Sequence, residues 1–359
     1  MPSSAGAAEI REVEDLTREL FALGEDFDVI LFQAEAIALL EAAVKALAVP
    51  GAPAATIMTS VYGDEMEAWF EAAGAPTTSL DLRGLDRAAT PAEVERLLDA
   101  APGIGVLAVV QGEALTGLVN PIDEIVAVAA ARDVKLMIDS VSSVGAEPFT
   151  PELWGRAISG ARAISVIGAQ KGLGGPSGLS LAVIDRRLWD EIEANPAAPR
   201  RSFLSLLDIK RSWLDTGRAS FFGMPSAEEL IVLRTALRAA VARGIGAIEE
   251  EHRRAMLRAR AVVREIPGLA LTIADAEASA VATTFRLEDA ALDPQALLAR
   301  LAAAGSPAFL PAAGPRTLRW LHYDREAWPD RLESAAAALE AAVAREGSGR
   351  RAGAVSAER

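Results

Sequence analysis

The chain has no cysteine and only two histidines, His252 and His322, among 359 residues. Without thiols there is no disulfide framework, no cysteine nucleophile, no iron–sulfur cluster and no thiolate metal site. A zinc site would have to lean on carboxylates, so no metal is expected. Cations are the scarcer charge: 36 Lys plus Arg stand against 50 Asp plus Glu, a net charge of −14. That balance argues against nucleic-acid binding, which draws its affinity from Lys and Arg set against phosphates. Long apolar runs are missing as well, none reaching the roughly 18 residues of a bilayer-spanning helix. The N-terminal stretch MPSSAGAAEIREVEDL is acidic rather than basic and then apolar, so no leader is expected. A cytoplasmic protein with a small-molecule partner is the expectation. Its hard chemistry must fall to Lys, Asp, Glu, Ser, Tyr or a borrowed cofactor.

What the chain does have is apolar residues, 51% of the total, in short runs that alternate with helical stretches through the first two thirds. This is the pattern of a mostly parallel sheet covered by helices, an α/β fold. Strands are expected at Asp28 to Leu31, Ala55 to Thr59, Gly105 to Val110, Val134 to Ile138, Ala163 to Ile167 and Leu179 to Ile184. Helices are expected at Ala36 to Leu47, Asp64 to Ala73, Pro91 to Ala100 and Pro121 to Arg132. Several strands run straight into polar or glycine-rich residues, and in open parallel sheets such strand ends line the ligand crevice. Residues 195–226, with mixed polarity and three prolines, predict a long excursion over the surface. Two long helices, Ala227 to Arg243 and Ile245 to Ile266, then lead into a smaller α+β unit. That unit has strands at Leu269 to Ile273, Ala280 to Leu287 and Thr317 to Leu321, and helices at Pro294 to Ala304 and Trp328 to Arg345. The expected organisation is an N-terminal segment 1–24, a large domain 25–226, a small domain 227–346 and a disordered tail 347–359.

The densest chemistry lies in LMIDSVSSVG and, some thirty residues on, ISVIGAQKGLGGPSG. Asp139 ends one apolar strand, and Lys171 follows another just before a glycine-rich loop. A desolvated lysine can form a Schiff base with a carbonyl compound, and a buried carboxylate can hold a pyridine nitrogen protonated. Either residue alone reads more simply as a turn cap or a solvated loop residue; the pair at two neighbouring strand ends favours the chemistry.

In that context the chain resembles the fold-type I pyridoxal-phosphate enzymes, and among them the class V aminotransferases of the alanine:glyoxylate and serine:pyruvate type. The resemblance runs from about residue 25 to 345 and is carried by Glu113 to Pro121, Ile138 to Gly145, Ala169 to Gly178, Tyr62-Gly63 and Arg319 to His322. It implies a mostly parallel seven-stranded sheet sandwiched by helices, a smaller C-terminal α+β domain, and a homodimer. It also implies pyridoxal or pyridoxal phosphate held as an aldimine on Lys171, with Asp139 at the pyridine nitrogen, Val141 beneath the ring and Tyr62 stacked above it. Gln170 and Thr116 match cofactor-binding positions, and Arg319 matches the arginine that takes the substrate carboxylate in a bidentate fork. His322 reads as a core histidine.

The phosphate-binding positions depart from that pattern. Fold-type I enzymes cradle the phosphate with small residues at a helix N-terminus, whereas this turn reads Phe32-Gln33-Ala34-Glu35-Ala36. Ala114 and Leu115 stand where the family has hydroxyls, Ala169 replaces a serine, and Gly223-Met224-Pro225-Ser226 replaces Thr-Pro-Pro. A carboxylate at Glu35 repels a dianion, so the unphosphorylated vitamer is favoured. The subgroup of pyridoxamine:pyruvate aminotransferases resembles the chain at Glu35, at Val61 to Gly63 and at Asn195 to Asp208; by that resemblance Glu35 and Ala34 meet the ligand's 5′ side. An N-terminal Gly-Pro segment of the family is unmatched. A second arginine of the subgroup is lost or moved to Arg316, which leaves the amino acceptor open among 2-oxo acids. The alternatives are an ordinary pyridoxal-phosphate aminotransferase or lyase with a rebuilt phosphate site, and a non-catalytic pyridoxal-binding protein.

Overall fold

A computed structural model describes residues 4–150 and 162–356. A seven-stranded sheet forms the larger body: β1 (Phe27–Phe32), β2 (Ala54–Met58), β3 (Thr77–Asp81), β4 (Val106–Val110), β5 (Lys135–Asp139), β6 (Ala163–Gly168) and β7 (Ser180–Asp185). Their order is β1-β7-β6-β5-β4-β2-β3. Strands β6, β5, β4, β2 and β3 run parallel, while β7 is antiparallel to both of its neighbours. All residues of β1, β2, β4, β6 and β7 are buried, as in a sheet covered on both faces. Strand β3 escaped the sequence reading because it is the edge strand, and Thr77-Thr78-Ser79-Leu80-Asp81 carries no apolar run.

The sheet is flanked by α1 (Ser4–Leu20), α2 (Ala36–Leu47), α3 (Val61–Ala72), α4 (Pro91–Ala100), α5 (Ile122–Ala130) and α6 (Leu188–Ala194). Helix α1 was not anticipated. It buries Ile10 and Val13 completely and ties itself down by charge, Glu9 and Glu12 pairing with Arg234 and Glu14 with Arg218.

Residues 195–226 are not a surface excursion. They contain α7 (Leu206–Ile209) and a π-type turn, Lys210–Leu214, and they bury Leu206, Leu207, Trp213 and Phe221. Trp213 donates its indole N–H to Glu14. The prolines and polar residues that suggested a loop instead shape a packed segment with buried anchors, although Phe203 and Met224 remain exposed.

Helices α8 (Ala227–Arg243) and α9 (Ile245–Glu265) lead to the smaller antiparallel sheet, ordered β10 (Phe309–Pro311), β11 (Thr317–Leu321), β9 (Ala282–Leu287), β8 (Leu269–Leu271). Helices α10 (Pro294–Ala303) and α11 (Pro329–Ser356) cover it. The two main cores meet within α9: Ile248 belongs to the large one, Ala255 to the small one. Helix α11 continues to Ser356, past the end at Arg345 read from the sequence and through Gly347, Gly349 and Gly353. Its first turns are anchored by Leu332, Ala335, Ala336 and Leu339. Residues 357–359 lie outside the described residues. Among the described residues, no helix is long and apolar enough to cross a membrane.

Candidate active site

The parallel register of β5 and β6, with Asp139 opposite Val166, brings the residues after both strands to one sheet edge. Asp139 is 4% exposed, and one carboxylate oxygen accepts the Val141 N–H at 2.9 Å. Burial pushes its carboxyl up to about 6, against the pull of that hydrogen bond and of Lys171. The turn that follows is held by Gln111, whose Oε1 accepts both Ser140 Oγ and Ser143 Oγ at 2.9 Å. This explains the serines of DSVSS.

Lys171 follows β6 across a backbone junction that only glycine allows. A Cβ on Gly168 would lie 2.5 Å from Val141 Cγ1, and one on Gly172 would lie 2.3 Å from the Val144 carbonyl oxygen. The two loops therefore press together. The chain has four lysines. Lys45 pairs with Glu41, Lys135 with Glu191 at 2.9 Å and Lys210 with Asp215 at 2.7 Å. Lys171 makes no such pair among the described residues. Burial lowers its pKa below that of an ordinary lysine and Arg319 adds to this, while Glu35 and Asp139 oppose it.

Glu35 caps α2 from just beyond β1. Its Oε2 accepts the Ile37 N–H at 2.8 Å, and its Oε1 accepts Gln170 Nε2 at 2.6 Å. An N-cap carboxylate is favoured there by the helix dipole and an orphan amide. The first turn of α2 thus spends its anion-binding capacity on the protein's own carboxylate. Tyr62 rises from the first turn of α3, which Ser60 caps. Glu35, Tyr62, Asp139, Val141, Ser142 and Lys171 line one cavity of about 180 Å³.

Arg319 sits in the middle of β11. Its Nη1 donates to the Ala114 carbonyl at 3.0 Å, while its buried Nε has no hydrogen-bond partner. Burial raises the Tyr62 pKa and lowers that of Lys171, and the Arg319 charge pulls both down, as expected of a cation near both side chains. Two expected residues stand apart. Ala34 uses its carbonyl to accept Ser180 Oγ at 3.0 Å, fastening the end of β1 to β7. Thr116 lines a neighbouring cavity of about 360 Å³ with Arg83 and Arg286 instead of facing Lys171, because its segment is held to the small domain by Thr284 Oγ1 on its carbonyl at 2.7 Å. Arg316 does not replace the missing second arginine: its guanidinium is spent on the carbonyls of Leu287, Asp289 and Leu292.

Two residues of the site escaped the sequence reading as participants. Glu113 is fully buried beside Asp139, accepts Thr59 Oγ1 at 2.6 Å, and is pushed up to about 7 by burial. Tyr323 comes from the small domain, and Lys171 Nζ lies 5.0 Å from its ring centroid. Strand alternation could have flagged it, since positions four apart share a face and Tyr323 is four residues beyond Arg319.

The residues present fit an unphosphorylated pyridine aldehyde or amine. Asp139 can pair with a ring N–H, Lys171 can meet a carbonyl, and the Glu35 carboxylate can accept from a hydroxymethyl group. At the N-terminus of α2 the position nearest the cavity is taken by the Glu35 carboxylate.

Comparison with known proteins places the chain among homologues. The family model of the class-V aminotransferases matches residues 7–305. A curated relative, pyridoxamine–pyruvate transaminase of Mesorhizobium japonicum, is 30% identical over 271 residues, 75% of this chain and 66% of the relative. A 2-aminoethylphosphonate–pyruvate transaminase of Burkholderia lata is 33% identical over 162 residues, 45% of this chain and 41% of that protein. The chain thus spans less than two thirds of the length of these relatives. Among solved structures, pyridoxamine-pyruvate aminotransferase from Mesorhizobium loti superposes with a TM-score of 0.82 at 28% identity, covering 96% of this chain and 85% of the other. The chain belongs to the class-V aminotransferase family.

Proposed function

We propose that this member of the class-V aminotransferases moves an amino group between pyridoxamine, the unphosphorylated vitamin B6 amine, and a 2-oxo acid such as pyruvate. The observation that carries the reading is one cavity holding Lys171, Asp139 and, at the helix terminus where a phosphate would sit, the carboxylate of Glu35. When bound, the vitamer supplies a carbonyl or amine and an electron-withdrawing ring. The protein supplies the rest. Asp139 keeps a ring nitrogen protonated, and the new ion pair draws its carboxyl back down from about 6 so that it is a full carboxylate at neutral pH. Lys171, with its pKa lowered by burial, gives up its proton more readily than an ordinary lysine, and its Nζ then takes a proton from one carbon and returns it to another. Arg319 receives the carboxylate of the 2-oxo acid, its unpartnered Nε serving as a ready donor. Glu35 accepts the 5′-hydroxyl and repels a 5′-phosphate.

The assembly proposed is the homodimer implied by the family resemblance, in the cytoplasm, with no nucleic-acid or membrane partner. The test is a spectrophotometric assay of pyridoxal formation from pyridoxamine with a panel of 2-oxo acids, run beside pyridoxamine phosphate. Turnover confined to the unphosphorylated amine is expected. Faster turnover of the phosphate ester, or tight pyridoxal-phosphate binding lost on dephosphorylation, overturns the vitamer assignment. Binding of pyridoxal without turnover of any acceptor would make the chain a binder and not an enzyme.

A further inference from the structure

We propose that Tyr323, reaching over from the small domain, is a positioning residue for Lys171, its ring face being the resting seat of the Nζ ammonium. The inference rests on Lys171 being the reactive amine, and its geometry comes from four observations. Lys171 Nζ lies 5.0 Å from the Tyr323 ring centroid, within the range of a cation–π contact. Lys171 has no ion pair among the described residues, whereas the chain's other three lysines each have one, so the ring is its near partner. The alternation of β11 continues into the extended residue Tyr323: Trp320 and His322 are fully buried on one face, leaving Arg319, Leu321 and Tyr323 on the other. Finally, the Tyr323 hydroxyl is sealed from solvent with Ser142 beside it, so the side chain is held within the site and not turned to water.

The charged groups facing Nζ come from three other elements: Glu35 at the head of α2, Asp139 at the end of β5 and Arg319 on β11. Glu35 and Asp139 attract the ammonium and Arg319 repels it, from different directions, so charge alone leaves its position loose. A ring face from the small domain adds a directional contact. It also links the two domains through the reacting amine, since Tyr323 and Leu321 pack against the junction cluster formed with Ala114, Leu118 and Ala146. The seat favours the charged form of Lys171 and so opposes the downward push of burial.

The experiment uses the full chain without vitamer. Lys171 labelling by trinitrobenzenesulfonate is followed against pH, and the modified peptide is resolved by mass, which a chain of four lysines makes direct. Tyr323→Phe, which keeps the ring, is expected to track the wild-type midpoint. Tyr323→Leu, with Tyr323→Met as a second variant should it fail to fold, is expected to lower the midpoint by about one pH unit. The pH profile of turnover should move the same way, with an about tenfold loss of rate from the unseated amine. An unchanged midpoint in the Leu and Met variants, or a shift in the Phe variant as large as theirs, overturns the proposal. If Lys171→Ala were to retain turnover, the reactive-amine reading would fail while the labelling result still reported on the seat.

Discussion

The two ends of the Lys171 cavity hold carboxylates in opposite settings. Asp139 lies at a strand end in the middle of the large sheet, 4% exposed, its carboxyl pushed up to about 6 by burial. Glu35 lies at a helix N-terminus, exposed, with one oxygen on a helix amide and the other on Gln170. The first is a charge the fold has desolvated and left wanting a cation. The second is a charge the fold has already satisfied, in a place that elsewhere would be free to take an anion. The contrast teaches that a binding site is shaped as much by what its own residues saturate as by what they leave open. On the proposed function, that contrast is what would let a pyridine ring be accepted at one end and a phosphate be refused at the other.

The sharpest break of that contrast removes the amine between the two carboxylates. Lys171→Ala should lower transfer from pyridoxamine by about a thousandfold or more, as expected for loss of a proton-carrying base. Activity within tenfold of wild type would remove Lys171 from the role. A smaller effect is expected from Glu35→Thr, which keeps a side-chain helix cap and deletes the charge. Two charges a few ångströms apart interact by about 4 kcal/mol at an effective dielectric of 20, and less at an exposed position. Affinity for pyridoxal phosphate should therefore rise by about tenfold, measured by equilibrium titration of both vitamers. An unchanged ratio of affinities would show that Glu35 does not discriminate between them.

The smallest effect concerns stability. Glu113, buried behind Asp139, has its carboxyl pushed up by that burial from the ordinary glutamate range to about 7. A raised carboxyl stabilises the fold fully below the unfolded value and loses that contribution as pH climbs through about 7. The vitamer-free protein should therefore melt lower at pH 8 than at pH 5.5, with about 2 kcal/mol lost from this residue across that interval. Glu113→Gln, which cannot titrate, should flatten the slope. A slope as steep in the variant would place the titrating group elsewhere, Glu147 being the other buried carboxyl pushed to about 7.

Much of this was legible in the chain. Helices α2, α4 and α8 begin and end where their caps and apolar spacing put them, with Thr90, Pro91 and Glu93 forming a capping box at the head of α4. The buried strands showed as apolar runs because both of their faces are covered. Strand β3 did not, being an edge, and the 195–226 segment misled because its composition is that of a loop while Leu206, Leu207, Trp213 and Phe221 within it are core. At the site, Lys171, Asp139, Glu35, Tyr62 and Val141 do share one cavity. Thr116 showed a matching motif but faces a different cavity, since a motif gives residue order and not direction.

By itself the sequence determined the types of chemistry available. Without thiols and with two imidazoles, it left a lysine and a carboxylate at two strand ends as the candidate pair for the proposed chemistry, and it placed a glutamate at the head of α2. Those are local facts, set by residue identity and periodicity. Only the tertiary structure decided what surrounds them: that Asp139 and Glu113 are desolvated together, that Arg316 is consumed by backbone carbonyls, and that Tyr323 crosses from the small domain to meet Lys171. Burial and contact between residues some 150 positions apart depend on how two sheets are packed against each other, and no periodicity within either one carries that information.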